Sequence, residues 1–139
     1  MADAQARFLI VDDEKDMRLI LRGVLAPFGE VLEAEDGESA LRLIRAERLS
    51  GILLDIVMPG MDGVAVMRAA HEIAPRLPVL ILTGETDIEI ARRALDAGAR
   101  AYATKPFDIA AVSAEITRWV ESEEAPEDAS GRPWRVRNP

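Results

Sequence analysis

Ile52-Leu53-Leu54-Asp55-Ile56-Val57-Met58-Pro59-Gly60-Met61-Asp62-Gly63 is the stretch that decides the fold. It opens as an unbroken apolar run, delivers one carboxylate at Asp55, and then breaks at the turn signals Pro59-Gly60 and Asp62-Gly63. An uninterrupted apolar run of this length reads as a strand covered on both faces. An acid at the end of such a strand is costly unless its charge is compensated. Asp55 is therefore expected at the carboxyl edge of a sheet, where open α/β folds bind their ligands.

The same pattern repeats outward from it. Phe8-Leu9-Ile10-Val11 is a second short apolar run, and it ends in three acids, Asp12-Asp13-Glu14. Met17, Leu19-Ile20-Leu21, Val24 and Leu25 then recur at helical spacing, up to Pro27-Phe28-Gly29. Val31-Leu32-Glu33-Ala34 reads as a strand, and after Asp36-Gly37 the residues Ala40-Leu41 and Leu43-Ile44 mark an amphipathic helix. Beyond Asp62-Gly63 comes a helix with Val64, Val66-Met67 and Ala70 inward, ending before Pro75. Pro78-Val79-Leu80-Ile81-Leu82 is a strand ending at Thr83-Gly84. A helix with Ile88, Ala91, Ala94 and Leu95 runs to Gly98. Ala101-Tyr102-Ala103-Thr104 is the last strand, ending at Lys105-Pro106. Asp108 caps a final helix with Ile109, Val112, Ile116 and Trp119-Val120 inward. Strand and helix alternate five times. That predicts an α/β fold with a five-stranded parallel sheet and helices on both faces, because parallel strands need crossover connections.

In a parallel sheet the strand ends share one edge. Asp12 and Asp13, Asp55, Thr83 and Lys105 would all lie there. Two or three carboxylates offer hard oxygens suited to Mg²⁺, which takes a carboxylate or two together with waters and phosphate oxygens. A lysine ammonium is a compact cationic partner for phosphate, and a threonine hydroxyl can donate to it. Asp55 is then the natural nucleophile, since carboxylates form acyl phosphates. Taken singly, the acids after the first strand could only cap a helix, and Tyr102 could be a half-buried aromatic. His71, the single histidine, reads as a solvated residue late in its helix.

Composition narrows the function classes. The 139 residues suit one domain, and 49% apolar with 30% charged residues is ordinary for a globular protein. A net charge of −8 argues against a nucleic-acid or membrane-surface binder, which would present a basic face. There is no cysteine, hence no disulfide frame or thiol chemistry, and a cytoplasmic location is expected. The first residues lack the basic and apolar regions of a signal peptide, and no apolar run approaches the ~18 residues of a membrane helix. One folded domain is expected over 1–123. Residues 124–139, acidic and then basic around Trp134, are expected to be a flexible tail.

The chain resembles a response-regulator receiver domain of two-component signalling, of the single-domain, chemotaxis-regulator type. The resemblance rests on Val11-Asp12-Asp13, Leu54-Asp55-Ile56-Val57-Met58-Pro59-Gly60-Met61-Asp62-Gly63, Ile81-Leu82-Thr83-Gly84 and Tyr102-Ala103-Thr104-Lys105-Pro106-Phe107, in that order. It implies a flavodoxin-like strand order 2-1-3-4-5. It implies that Asp55 accepts a phosphoryl group from a sensor histidine kinase or a histidine phosphotransfer protein. Asp12, Asp13, Asp55 and the main-chain carbonyl of Val57 would hold Mg²⁺ or Mn²⁺, Thr83 and Lys105 would bind phosphoryl oxygens, and the peptide before Pro106 would be cis. On phosphorylation Thr83 would move towards the phosphate and Tyr102 inward, repacking the face of helix four, strand five and helix five for a downstream protein.

Two departures carry expectations of their own. Val57, two residues after Asp55, is apolar and cannot position a water, which predicts slow loss of the phosphate. Glu85 stands at the other position flanking the site. Gly98-Ala99-Arg100-Ala101-Tyr102 lacks the acidic pair that serves dimers of DNA-binding regulators, so a monomer or weak homodimer without direct DNA binding is expected. The rival readings are a Mg²⁺-dependent phosphohydrolase and a receiver used as a constitutive interaction module. The first would want an acid where Val57 stands; the second would not need the full set of acids with Lys105.

Overall fold

A computed structural model describes residues 6–84 and 86–121. Five strands alternate with five helices: β1 (Arg7–Val11), α1 (Lys15–Leu25), β2 (Glu30–Ala34), α2 (Gly37–Ala46), β3 (Gly51–Asp55), α3 (Gly63–Ile73), β4 (Val79–Gly84), α4 (Ile88–Asp96), β5 (Ala101–Lys105) and α5 (Ile109–Glu121). The strands form one parallel sheet in the order β2-β1-β3-β4-β5. This is the flavodoxin-like arrangement, with the chain reversing direction across the sheet between β1 and β3.

Side-chain alternation along the strands divides the core in two. On one face Leu9, Val11, Ile52, Leu54, Val79 and Ile81 meet Ala40 and Ile44 of α2, Val64, Met67 and Ala70 of α3, and Ala94 of α4. On the other, Phe8, Ile10, Leu53, Leu80 and Leu82 meet Leu21, Val24 and Leu25 of α1 and Val112, Ile116 and Trp119 of α5. β3 is buried at every position, which is why its sequence is a continuous apolar run rather than an alternation.

The helix starts are set by side chains. Asp36 accepts from the Ser39 amide at 2.8 Å, Asp62 from the Val64 and Ala65 amides at 3.1 Å each, and Asp108 from the Ala110 amide at 2.9 Å. α4 stops in a paired motif: the Gly98 amide donates to the Leu95 carbonyl and the Ala99 amide to that of Ala94, with Gly98 at φ +121°. His71, exposed on α3, lies flush against Gly98, leaving no room for a Cβ there.

Four of the apolar residues that mark the helices in the sequence stand at the surface, among them Ile109, expected inward. Leu19 and Ile20 are 69% and 48% exposed, Ile88 is 37% exposed and Ile109 is 51% exposed. A helix turns about 100° per residue, so Leu19-Ile20-Leu21 cannot all point one way. Leu21 continues the stripe to Val24 and Leu25, and its two predecessors are left outside. Ile88 and Ile109 each open a helix at the sheet edge, ahead of the residues that reach the core.

Candidate functional site

The carboxyl ends of β1, β3, β4 and β5 bring together the residues singled out in the sequence. Asp12 follows β1 and is fully buried, and Asp55 ends β3 with 5% exposure. Asp13 is exposed beside them. One carboxylate oxygen from each of the three lies within 4.8 Å of the others. Lys105, at the end of β5, donates to Asp55 Oδ2 at 3.1 Å and stands 3.7 Å from Asp12 Oδ2. The Lys105–Pro106 peptide is cis.

Local hydrogen bonds fix the two buried acids. Asp55 Oδ1 accepts from the Val57 amide at 3.0 Å, and Asp12 Oδ1 accepts from the Glu14 amide at 2.9 Å. This leaves Asp12 Oδ2 as the one buried side-chain oxygen without a hydrogen-bond partner among the described residues. An orphaned buried carboxylate oxygen is expensive and calls for an explanation. Three acids face one ammonium. The carboxylate oxygens of Asp12, Asp13 and Asp55 are a donor set that fits a divalent cation such as Mg²⁺.

Electrostatics agree with that geometry. Burial pushes the Asp12 carboxyl above the usual range; the Glu14 amide and Lys105 oppose this, and the Asp55 charge reinforces it. Burial likewise raises Asp55, against the Val57 amide and Lys105, with Asp13 adding to the rise. Burial works to lower Lys105, but Asp55 and Asp12 outweigh it and its ammonium is held above its ordinary value. The site is therefore short of positive charge in a low-dielectric setting.

Thr83 is fully buried at the end of β4, and its hydroxyl donates to the carbonyls of Asp87 at 3.3 Å and Gly84 at 3.4 Å. It stands at the site's edge with its hydroxyl engaged by its own loop. Tyr102 pairs in register with Ile81 and is 42% exposed, outside the acidic cluster. Val57 is 48% exposed at the mouth of the site. Glu85 and the tail expected over 124–139 lie outside the described residues.

One contact of the site escaped the sequence. Arg18 Nη1 donates to the main-chain carbonyl of Asp12 at 2.8 Å. The only trace of it in the chain is a basic pair, Arg18 and Arg22, four apart on α1.

Comparison with known proteins places this architecture. The family model "Response regulator receiver domain" matches residues 8–117. The Response regulator MprA of Mycolicibacterium vanbaalenii is 36% identical over 126 residues, which are 90% of this chain and 54% of that protein. The chain thus spans about half the length of the curated relatives it matches. Among solved structures, a CheY-like response regulator receiver domain protein from Methanospirillum hungatei aligns with a TM-score of 0.78 at 29% identity, covering 83% of this chain and 93% of that one. The receiver domain of NtrX from Brucella abortus aligns with a TM-score of 0.75 at 34% identity, covering 80% and 95%.

Proposed function

The chain belongs to the response regulator receiver domain family of two-component signalling, and from that premise we propose that Asp55 is its phosphoryl acceptor. The observation that carries this reading is the orphaned Oδ2 of buried Asp12, set among Asp13, Asp55 and Lys105. The donor is a phosphohistidine of a sensor kinase or of a histidine phosphotransfer protein. A carboxylate oxygen of Asp55 attacks phosphorus, the P–N bond breaks as the O–P bond forms, and the imidazole nitrogen leaves with its electron pair. The product is an acyl phosphate on this chain. The receiver is modified rather than turned over, so it is not an enzyme in the ordinary sense.

Asp12, Asp13, Asp55 and the main-chain carbonyl of Val57 would hold Mg²⁺, with Mn²⁺ as a substitute. Such a cation, when bound, offsets the repulsion between the acids and the incoming phosphoryl group. Lys105 passes from Asp55 to a phosphoryl oxygen, which its compact charge and present 3.1 Å contact make a short move. Thr83 turns its hydroxyl from the carbonyls of Gly84 and Asp87 to the phosphoryl group. Tyr102, now outward, follows inward and alters the face of α4, β5 and α5. That face then meets a downstream protein. The receiver unit is taken as 1–123, acting as a monomer or weak homodimer in the cytoplasm without touching DNA itself. No helix among the described residues is long and apolar enough to cross a membrane.

Beryllofluoride, a phosphoryl mimic, tests the reading. With Mg²⁺ present, ¹⁹F resonances of the bound adduct are expected on the wild-type chain and lost in Asp55→Asn. Bound resonances that persist in Asp55→Asn, or that form equally well in chelator, would overturn it.

A further inference from the structure

The main chain of Asp12 is held on one side by β2 and on the other by Arg18 of α1. Its amide donates to the Ala34 carbonyl at 3.1 Å. Its carbonyl accepts from Arg18 Nη1 at 2.8 Å, and Arg18 Nε donates to Glu33 Oε1 at 2.9 Å. The other oxygen of Glu33 accepts from Arg22 Nε at 2.7 Å. Arg18 is thus fixed at both ends of its guanidinium, and its side chain is only 13% exposed. Charge-assisted bonds in a planar fork combine strength with direction, which a lysine at this place could not reproduce.

Tying α1 to β2 would need the Glu33 contact alone. The second arm of the fork reaches something else: the carbonyl of Asp12 belongs to the peptide that joins Asp12 to Asp13. Fixing that peptide plane fixes the direction in which two of the three clustered carboxylates leave the backbone. Groups that hydrogen-bond behind metal ligands set their orientation, and losing one costs 10–100-fold in metal affinity as a rule.

We propose that Arg18, held by Glu33, is a positioning residue for the acidic site: it fixes the Asp12–Asp13 peptide so that both carboxylates converge with Asp55 on a divalent cation. The inference rests on reading the three acids as a cation site. Arg18 touches neither cation nor phosphate in this role.

The test is a calorimetric Mg²⁺ titration of the full chain, wild type beside Arg18→Ala, Arg18→Lys, Glu33→Gln and the Arg18→Ala, Glu33→Gln double variant. It is paired with phosphorylation rates from a small acyl phosphate at limiting and saturating Mg²⁺. Arg18→Ala is expected to weaken Mg²⁺ binding about 10-fold while the rate at saturating Mg²⁺ stays close to wild type. Arg18→Lys should fall between the two, and Glu33→Gln should add nothing once Arg18 is alanine. A folded Arg18→Ala chain that binds Mg²⁺ like wild type would overturn the proposal. Should that variant not fold, wild-type affinity in both Arg18→Lys and Glu33→Gln would overturn it equally. If the wild type takes up no Mg²⁺, the cation-site reading itself fails; if it does and the variants match it, only the positioning role fails.

Discussion

Lys105 and Asp55 lie fifty residues apart in the chain and 3.1 Å apart in space, and Asp12 stands 3.7 Å from the same ammonium. One cation therefore serves two buried carboxylates, and its hydrogen bond goes to Asp55. Asp12 Oδ2 has that ion pair but no hydrogen bond among the described residues. That imbalance is the physical content of the site: it is built for a charge it does not itself supply.

Removing the imbalance should stabilise the fold. Burial holds the Asp12 carboxyl above its ordinary value. A raised carboxyl contributes stability below the unfolded value of ~3.9 and loses it as pH rises through the folded value. At neutral pH the cost of the buried charge is thus fully present. Asp12→Asn is expected to melt at a higher temperature than wild type in chelator at pH 7. Added Mg²⁺ should raise the wild-type melting temperature and leave the variant's unchanged. A variant that melts lower in chelator would contradict this.

Val57 stands at the mouth of the site, half exposed and without a polar atom in its side chain. Its side chain gives a hydrolytic water no hydrogen bond to orient it, and orientation is a large part of such a rate. Val57→Asn is expected to shorten the lifetime of the acyl phosphate several-fold, followed as loss of the adduct in intact protein. An unchanged lifetime would remove Val57 from the account.

Tyr102 is the single tyrosine of the chain and is now 42% exposed. Its ring resonances should shift on binding beryllofluoride with Mg²⁺. Thr83→Ala should keep the binding and lose the shift, because the hydroxyl is proposed to link the phosphoryl group to β5. A full shift in Thr83→Ala would separate the two residues.

The acid limb of stability has a source away from the site. Hydrogen bonds from Arg22 and then Arg18 hold the Glu33 carboxyl below its ordinary value against partial burial. A lowered carboxyl contributes stability above its unfolded value of ~4.3, and that is lost as pH falls through the folded value. Glu33→Gln should flatten the loss of stability below about pH 5, measured by denaturant unfolding across pH. An acid limb as steep as wild type would count against the clamp.

Asp62 caps α3 directly after the loop that follows Asp55. Asp62→Ala should cost about 1 kcal/mol of stability, read by urea unfolding, with little effect on Mg²⁺ affinity.

Legibility in the sequence followed burial and locality. β3 was plain because a strand covered on both faces is apolar throughout. The strand-end acids, Thr83 and Lys105 were legible because parallel topology alone sends strand ends to one edge. Leu19 and Ile20 misled because three consecutive apolar residues do not say which one the helix turns inward. Ile88 and Ile109 misled because periodicity does not show where a helix first meets the sheet. Arg18 could not be read at all. Its contact joins the backbone after β1 to a side chain on β2 through a helix, and neither spacing nor residue type encodes that meeting.

Asp55 is proposed to accept phosphate with the help of a cation held by its neighbours. The direct measurement is intact mass after treatment with a small acyl phosphate, with Mg²⁺ and with chelator, on wild type and Asp55→Asn. One added phosphoryl group is expected on the wild type, dependent on Mg²⁺ and absent from Asp55→Asn. No adduct on the wild type, or an adduct that survives the substitution, would contradict the account.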